Sequence, residues 1–270
     1  MAQKGKDPND MSFFEHLDAM RPGLIRSFIA IAILFVAAFA FSDQIMEIVM
    51  GPQSPDFPTN ALFRRWADAG GGEVLRINSR PLTLINTAMA GQFNLHMLIS
   101  LYTSLILLAP YLLFEIWLFV SPALSEHERK GIYSVMGYIV VSMITGLLFG
   151  YFILAPISVN FLANYSVGAD IQNLIEVSSY MHIVLNMSLV CALIFELPVM
   201  SHFLSRIGIL SSSLMRRYRR HAIVALAVFS AIITPPDIMS MILVAIPLYM
   251  LYEVSIVVVS RNEKRRRKQN

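Results

Sequence analysis

Six long stretches of the chain carry no charged side chain, and this limits its fold more than any other feature. They run over 27–42, 81–114, 131–169, 177–195, 222–236 and 238–252. Crossing the hydrocarbon core of a bilayer takes roughly 20 mostly apolar residues in a helix. The second and third runs exceed this, so their ends must be loop. The first reaches it with Leu24 and Ile25 if Arg26 snorkels to the headgroups. The fourth continues past Glu196, and the sixth can pass Glu253 to Ser260. Charged residues are only 14% of the 270, well under the ~25% of soluble domains. Hydrophobic residues make up 56%, and the mean hydropathy is +0.61. These values exclude a disordered chain, a coiled coil and a collagen, and leave too little charge to coat a soluble globule. The single Cys191 excludes a disulfide framework or a cysteine-based metal site.

The pattern predicts an all-α membrane protein with six transmembrane helices, at about 23–42, 93–118, 132–155, 178–203, 219–234 and 238–258. The last two are short. The fifth charge-free run would be only about 22 Å long as a helix, and Pro235-Pro236-Asp237 joins it tightly to the sixth. A re-entrant hairpin is the alternative for that pair. The expected organisation is an amino-terminal segment 1–22, one membrane domain 23–258 with a large external loop at about 43–92, and a basic tail 259–270.

Lysine and arginine set the sidedness. One side collects the amino-terminal segment, the 119–131 and 204–221 loops and the tail, with 17 cations. The other side has four: Arg64, Arg65, Arg76 and Arg80. Both termini are therefore expected in the cytoplasm. The basic tail reads as a topology anchor at an anionic leaflet rather than as a nucleic-acid site. Ala38-Phe39-Ala40 resembles a signal-peptidase site, but the run before it is long for a signal and the preceding segment is partly acidic. In the external loop, Pro52, Pro55, Pro58 and Pro81 are expected to break helix. Residues 61–69 suggest a short amphipathic helix with Leu62, Phe63 and Trp66 on one side. The loop reads as a cap on the helix ends.

Glu196 is the most informative residue, because it lies in the apolar stretch LIFELPVM. An intramembrane carboxylate costs several kcal/mol unless it is partnered or neutralised, so it faces a bundle interior or a wet cavity. It is either an internal lock or a docking and proton-carrying group. Pro198, two positions on, can kink the helix and free a carbonyl. Glu115 and Glu253 read as interfacial acids near basic loops. His96 and His182 have no ligand partner at helical spacing, so no metal site is expected. No nucleophile–base pair or phosphate loop supports catalysis. Residues 13–21 read FFEHLDAMR, with Phe13, Leu17 and Met20 at amphipathic helical spacing. The 119–131 loop, FVSPALSEHERKG, offers Glu126 and Glu128. A fixed carboxylate there can take a guanidinium bidentately.

The segments FFEHLDAMRPGLIRS, FEIWLFVSPALSEHER, GYFILAPISVNFL, FELPV and TPPDIMSMILVAIPLYMLYE occur in order. Together they resemble the TatC family, the multispanning core of the twin-arginine protein translocase. The resemblance covers about 13–253, is weakest in 53–92 and is absent from the tail. It implies a concave six-helix bundle in the bacterial cytoplasmic membrane that exports folded proteins on the proton-motive force. It implies no enzyme activity and no cofactor. The implied partners are the twin-arginine signal peptides of folded cargo, TatA/TatB-type single-span subunits, further copies of the chain and the bilayer. By this resemblance Glu128 of the SEHER loop receives the signal's arginine pair, with Phe119 and Arg21 at the same site. Glu196 faces a lipid-exposed concave wall and helps place a partner helix. Thr234 and Asp237 match an outer turn, and Pro52 matches a proline early in the first outer loop.

The sequence also departs from the family's pattern. The family often has a glutamate just before the Leu-Arg pair; here that position is Ala19, with Asp18 beside it and Glu15 one turn earlier. Either acid could serve the second arginine. A usual tyrosine-glutamine is Phe114-Glu115, and a polar residue usual near the start of the sixth helix is Met241. A proton-coupled small-molecule transporter, with Glu196 as the coupling carboxylate, is the alternative. The repeated halves common in such transporters are not visible.

Overall fold

The computed structural model describes residues 13–72, 76–79, 82–120, 132–166, 168, 173–206, 208–233 and 238–267. Five helical stretches are long and apolar enough to cross a membrane: Arg21–Ala40, Gly91–Ile116, Met136–Asn164, Val177–Arg206 and Val244–Lys264. The fifth expected span is a helix of only 15 residues, Arg219–Ile233, lying along the last helix. Apolar side chains point outward, among them Phe28 at 78% exposure and Ile232 at 76%. On a soluble protein such patches would be interfaces or aggregation sites; on a membrane bundle they meet lipid.

The first helix, α1 (Phe13–Ala40), is continuous through Pro22. It absorbs both the amphipathic 13–21 segment and the first span. Next come α2 (Ser42–Met50) and α3 (Pro58–Trp66). Pro58 was expected to break helix; instead it opens α3. A first-turn proline loses no intrahelical bond, and its fixed φ suits a helix start. Leu62 and Trp66 stay exposed. α4 (Gly91–Val120) packs antiparallel along α1. At one end of this seam the His96 ring stacks on Phe39, with centroids 3.8 Å apart, and Nε2 lies 2.9 Å from the Phe39 carbonyl. The lone histidine is thus a packing residue.

α5 (Ile132–Phe149) runs through a π turn at Gly150–Leu154 into α6 (Ala155–Asn164). The third span therefore extends nine residues beyond the expected end at 155. Pro156 sits in the first turn of α6, where it is tolerated. α7 (Val177–Ile194) and α8 (Leu197–Arg206) form the fourth span, broken at Phe195-Glu196. α5 and α7 touch almost backbone to backbone. A Cβ on Gly146 would lie 2.5 Å from the Cys191 carbonyl oxygen, and one on Gly150 would lie 2.6 Å from that of Met187. This is small-xxx-small packing, which lets membrane helices approach closely.

Behind α9 (Ser212–Arg217) and α10 (Arg219–Ile233), α11 runs unbroken over Ile238–Arg267. The division at 258 between membrane domain and tail does not interrupt it. Its far end is tied to the loop before α9: the Ser212 amide donates to Glu263 Oε1 at 2.9 Å, and Asn262 Nδ2 lies 2.8 Å from His202 Nδ1. The core is layered along the bundle. Leu95, Ile99, Val159 and Met181 fill one end, Leu154, Cys191, Val244 and Leu248 the middle, and Met215, Ile256 and Val259 the other end.

The end holding α2 and α3 is capped by an asparagine hub. Asn78, at φ 45°, donates to the carbonyls of Pro156 (2.9 Å) and Pro52 (3.3 Å), while its amide donates to Asn160 Oδ1 (2.9 Å). Asn60 donates to the carbonyls of Pro52 and Ser54 at 2.9 and 2.8 Å. Pro52 is buried at this hub. A two-residue parallel pair, β1 (Leu84–Ile85) with β2 (Ile175–Glu176), joins the cap to the second loop at this end.

Candidate functional site

The opposite end, where α4, α8 and α9 finish or begin, is rich in arginine and is the basic end of the bundle. The acids expected to act there divide into placed and unplaced groups. Glu128, with the whole 121–131 loop, lies outside the described residues, as do Thr234 and Asp237. Glu15 and Asp18 lie on α1 and Phe119 on α4, but their side chains are outside the described set. Arg21 is exposed near the start of the first span. Met241 is half-buried one turn before the buried Val244.

Glu196 is set by a local conflict in the chain. Pro198 has no amide hydrogen for the Ile194 carbonyl, so α7 cannot continue. The Glu196 amide instead closes a tighter turn to the Leu193 carbonyl at 3.1 Å, and α8 resumes with Met200 N–H donating to the Glu196 carbonyl at 2.9 Å. The Ser142 hydroxyl, on α5, donates to the Phe195 carbonyl and fixes the break. This is the break expected beside Pro198, with the Phe195 carbonyl bonded by a neighbouring helix. The Glu196 side chain is 4% exposed, and its Oε1 has no hydrogen-bond partner among the described residues. The carboxyl is enclosed by its own bundle rather than laid open on the lipid-facing wall expected for it, so a partner side chain reaches Oε1 only if the neighbouring helices part.

The two interfacial acids behave differently. Glu253 is occupied: Arg219 pairs with it at 2.7 Å and the Tyr249 hydroxyl donates to it at 2.9 Å. Glu115 is half-buried at the α1–α4 seam, where the Tyr111 hydroxyl donates to its Oε1. Its Oε2 faces Gly23 of α1 so closely that a Cβ there would lie 2.8 Å away.

Three features escaped sequence reading. Tyr102 on α4 donates to Asn186 Oδ1 on α7 at 2.5 Å, a polar tie between spans. The asparagine hub of the cap is a second. The third, Gly146 and Gly150, was legible as a G-xxx-G spacing. At the cap end a cavity of about 910 Å³ opens between α6 and α7, near Glu176, His182 and Asn186. Among the described residues no group of acids, histidines and cysteines could hold a metal ion.

A sequence model of the family described as Sec-independent protein translocase protein (TatC) matches residues 15–247. The chain belongs to the TatC family. It is 32% identical over 258 residues to the Sec-independent protein translocase protein TatC of Blattabacterium sp. subsp. Periplaneta americana, covering 93% of this chain and 95% of that one. It is 29% identical over 241 residues to the TatC protein of Escherichia coli K12, covering 89% and 85%. The crystal structure of a twin-arginine translocase receptor, TatC, superposes with a TM-score of 0.73 at 27% identity, over 92% of this chain and 100% of that one. The all-α multispan fold, the family and a transport rather than an enzymatic role all agree with the sequence reading. TatC membership also accounts for the combination found here, a membrane bundle whose distinctive side chains are carboxyls rather than a catalytic set.

Proposed function

We propose that this chain is the signal-peptide receptor and assembly core of a twin-arginine translocase in a bacterial cytoplasmic membrane, with both termini in the cytoplasm. The observation that carries the reading is its likeness, over nearly its whole length, to a solved receptor of the same family. The cation distribution supports the orientation. In this reading Glu128 takes a guanidinium of the signal's arginine pair, with Phe119 and Arg21 completing the surface and Glu15 or Asp18 assisting. Arginine's planar fork, rather than charge alone, distinguishes it from lysine at a fixed carboxylate. The apolar part of the signal then lies along the exposed apolar wall. Glu196, with Thr234 and Met241, meets the helix of a TatA/TatB-type subunit, and several copies of the chain associate in the receptor complex. Pro52 and Asp237 shape the outer loops.

Crosslinking a twin-arginine signal peptide to the purified protein tests the receptor role. Crosslinking is expected to drop to background in Glu128→Ala, and undiminished crosslinking would reject the assignment. For the wall, Glu196→Ala is expected to lose co-purification with a single-span TatA/TatB-type subunit while still folding. Unchanged co-purification would make Glu196 a structural residue only.

A further inference from the structure

Glu115 occupies a position that the sequence alone could not assign. The α1–α4 seam is pinned at one end by Phe39 against His96 and at the other by Gly23 against Glu115. Between these contacts α1 advances 16 residues and α4 advances 19, about 24 and 28 Å of helix. The two helices therefore stay in antiparallel register across the membrane. One further turn towards the basic end brings Ala19 of α1 level with Phe119 of α4. Along the two helices Ala19 stands one turn before Gly23 on α1, and Phe119 one turn after Glu115 on α4.

The carboxylate is held but not consumed. Its Oε1 accepts from the Tyr111 hydroxyl, while its Oε2 looks onto Gly23, where a Cβ would press on it and make the carboxylate shift. Tyr111, Glu115 and Gly23 form one patch at this end of the seam. The Arg26 Nε donates to the Pro22 carbonyl of its own helix at 3.1 Å, and no described cation pairs with Glu115 within 4.0 Å. The patch sits at the end of both spans, at the depth where the first span begins with Arg21 and the second ends at Ile116. A fixed, partly desolvated carboxylate at a membrane surface, with one oxygen open, suits a guanidinium.

We propose that the Glu115 carboxylate, oriented by Tyr111 and approached over Gly23, binds one guanidinium of the arginine pair in place of the acid missing at Ala19. The acid has moved across the seam from α1 to α4, one turn deeper. The proposal rests on the receptor reading above, with Glu128 serving the other arginine.

Binding of fluorescent signal peptides to the full-length protein in nanodiscs tests it, using Arg-Arg, Lys-Arg, Arg-Lys and Lys-Lys versions. E115Q is expected to bind the Arg-Arg peptide roughly ten-fold more weakly, as loss of a charge-assisted hydrogen bond implies. It is also expected to lose discrimination against lysine at one of the two positions while keeping it at the other. Adding A19E to E115Q is expected to restore both affinity and discrimination, which a merely structural role for Glu115 would not do. Unchanged discrimination in E115Q, or no rescue by A19E, overturns the proposal. If E115Q does not fold, Y111F serves instead: it keeps the carboxylate but frees its orientation. A two- to three-fold loss confined to the same arginine is then expected, and an unchanged preference overturns the proposal. Loss of binding in E128A with none in E115Q sinks this inference alone; no effect in either variant sinks the receptor reading itself.

Discussion

Asn78 and Glu196 are both buried polar residues, 4% exposed in each case, but they are held in opposite ways. Asn78 donates its side-chain amide hydrogens to the carbonyls of Pro52 and Pro156 and its backbone N–H to Asn160 Oδ1, so donated bonds tie the cap to the bundle even though its own Oδ1 has no partner among the described residues. Glu196 sits at a helix break where Ser142 donates to the Phe195 carbonyl and the flanking turns supply further bonds, yet its Oε1 is left without a described partner. A buried hydrogen-bonded group stabilises one arrangement of the chain. A buried group left open costs free energy in the isolated protein and regains it only when something binds. The contrast separates the part of the molecule that holds shape from the part that waits for a partner.

The largest disturbance should come from neither residue but from the glycine seam on which both depend. Gly150→Val would push a side chain into the Met187 carbonyl and the Ser188 backbone, which cannot retreat without moving α7. Overpacking of this kind costs up to ~3 kcal/mol or more. The expected outcome is poor recovery of folded protein in detergent and loss of both the cap and the Glu196 wall. A variant with normal thermal unfolding would show that α5 and α7 can part without cost.

Asn78→Ala comes next. It removes two side-chain donors and leaves the Pro156 carbonyl buried without them, at ~1–3 kcal/mol for each unsatisfied group. It also places alanine at φ 45°, a region that asparagine tolerates better. The apparent melting temperature should fall clearly, while signal-peptide binding at the other end, measured below that temperature, should be unchanged. Equal loss at both ends would mean that the ends are not separable.

Much of this division could be read from the sequence, and the reasons differ by residue. Charge-free runs follow directly from the cost of charge in lipid, so five of the spans were legible. Glu196 stood out for the same reason, and Pro198 beside it announced the break. One proline misled where position mattered more than type. Pro58 begins a helical turn rather than ending one, and spacing alone does not say which side of a proline the helix occupies. The asparagine hub was invisible because Asn60, Asn78, Pro52 and Pro156 are distant in sequence and only the fold brings their polar atoms together. Glu115 was visible as an acid, but its meaning lies in the register of α1 against α4.

Glu196→Leu sharpens the comparison from the other side. Replacing a buried group that lacks a partner with an apolar one of similar volume is often neutral or stabilising. The variant should melt at or slightly above the parent temperature while losing the association with a single-span partner. A fall in stability comparable to that of Asn78→Ala would place Glu196 among the structural residues and remove the distinction drawn above.

The smallest effect is expected at Glu253. Its pair with Arg219 is short, but the two side chains are 31% and 44% exposed, so solvent screens them. Exposed ion pairs contribute ~0.2–1 kcal/mol, and less in salt. Glu253→Gln keeps an acceptor for Tyr249 and should shift thermal unfolding only marginally, with the shift vanishing at high ionic strength. It should leave signal binding alone, unlike E115Q. Both are acids at the ends of spans near basic segments, and both accept a tyrosine hydroxyl from one turn earlier on their own helix. They differ in that Glu253 already holds a guanidinium, whereas Glu115 holds none among the described residues. A signal-binding defect in Glu253→Gln as large as that in E115Q would show that general surface charge, rather than an open and oriented carboxylate, selects the arginine pair.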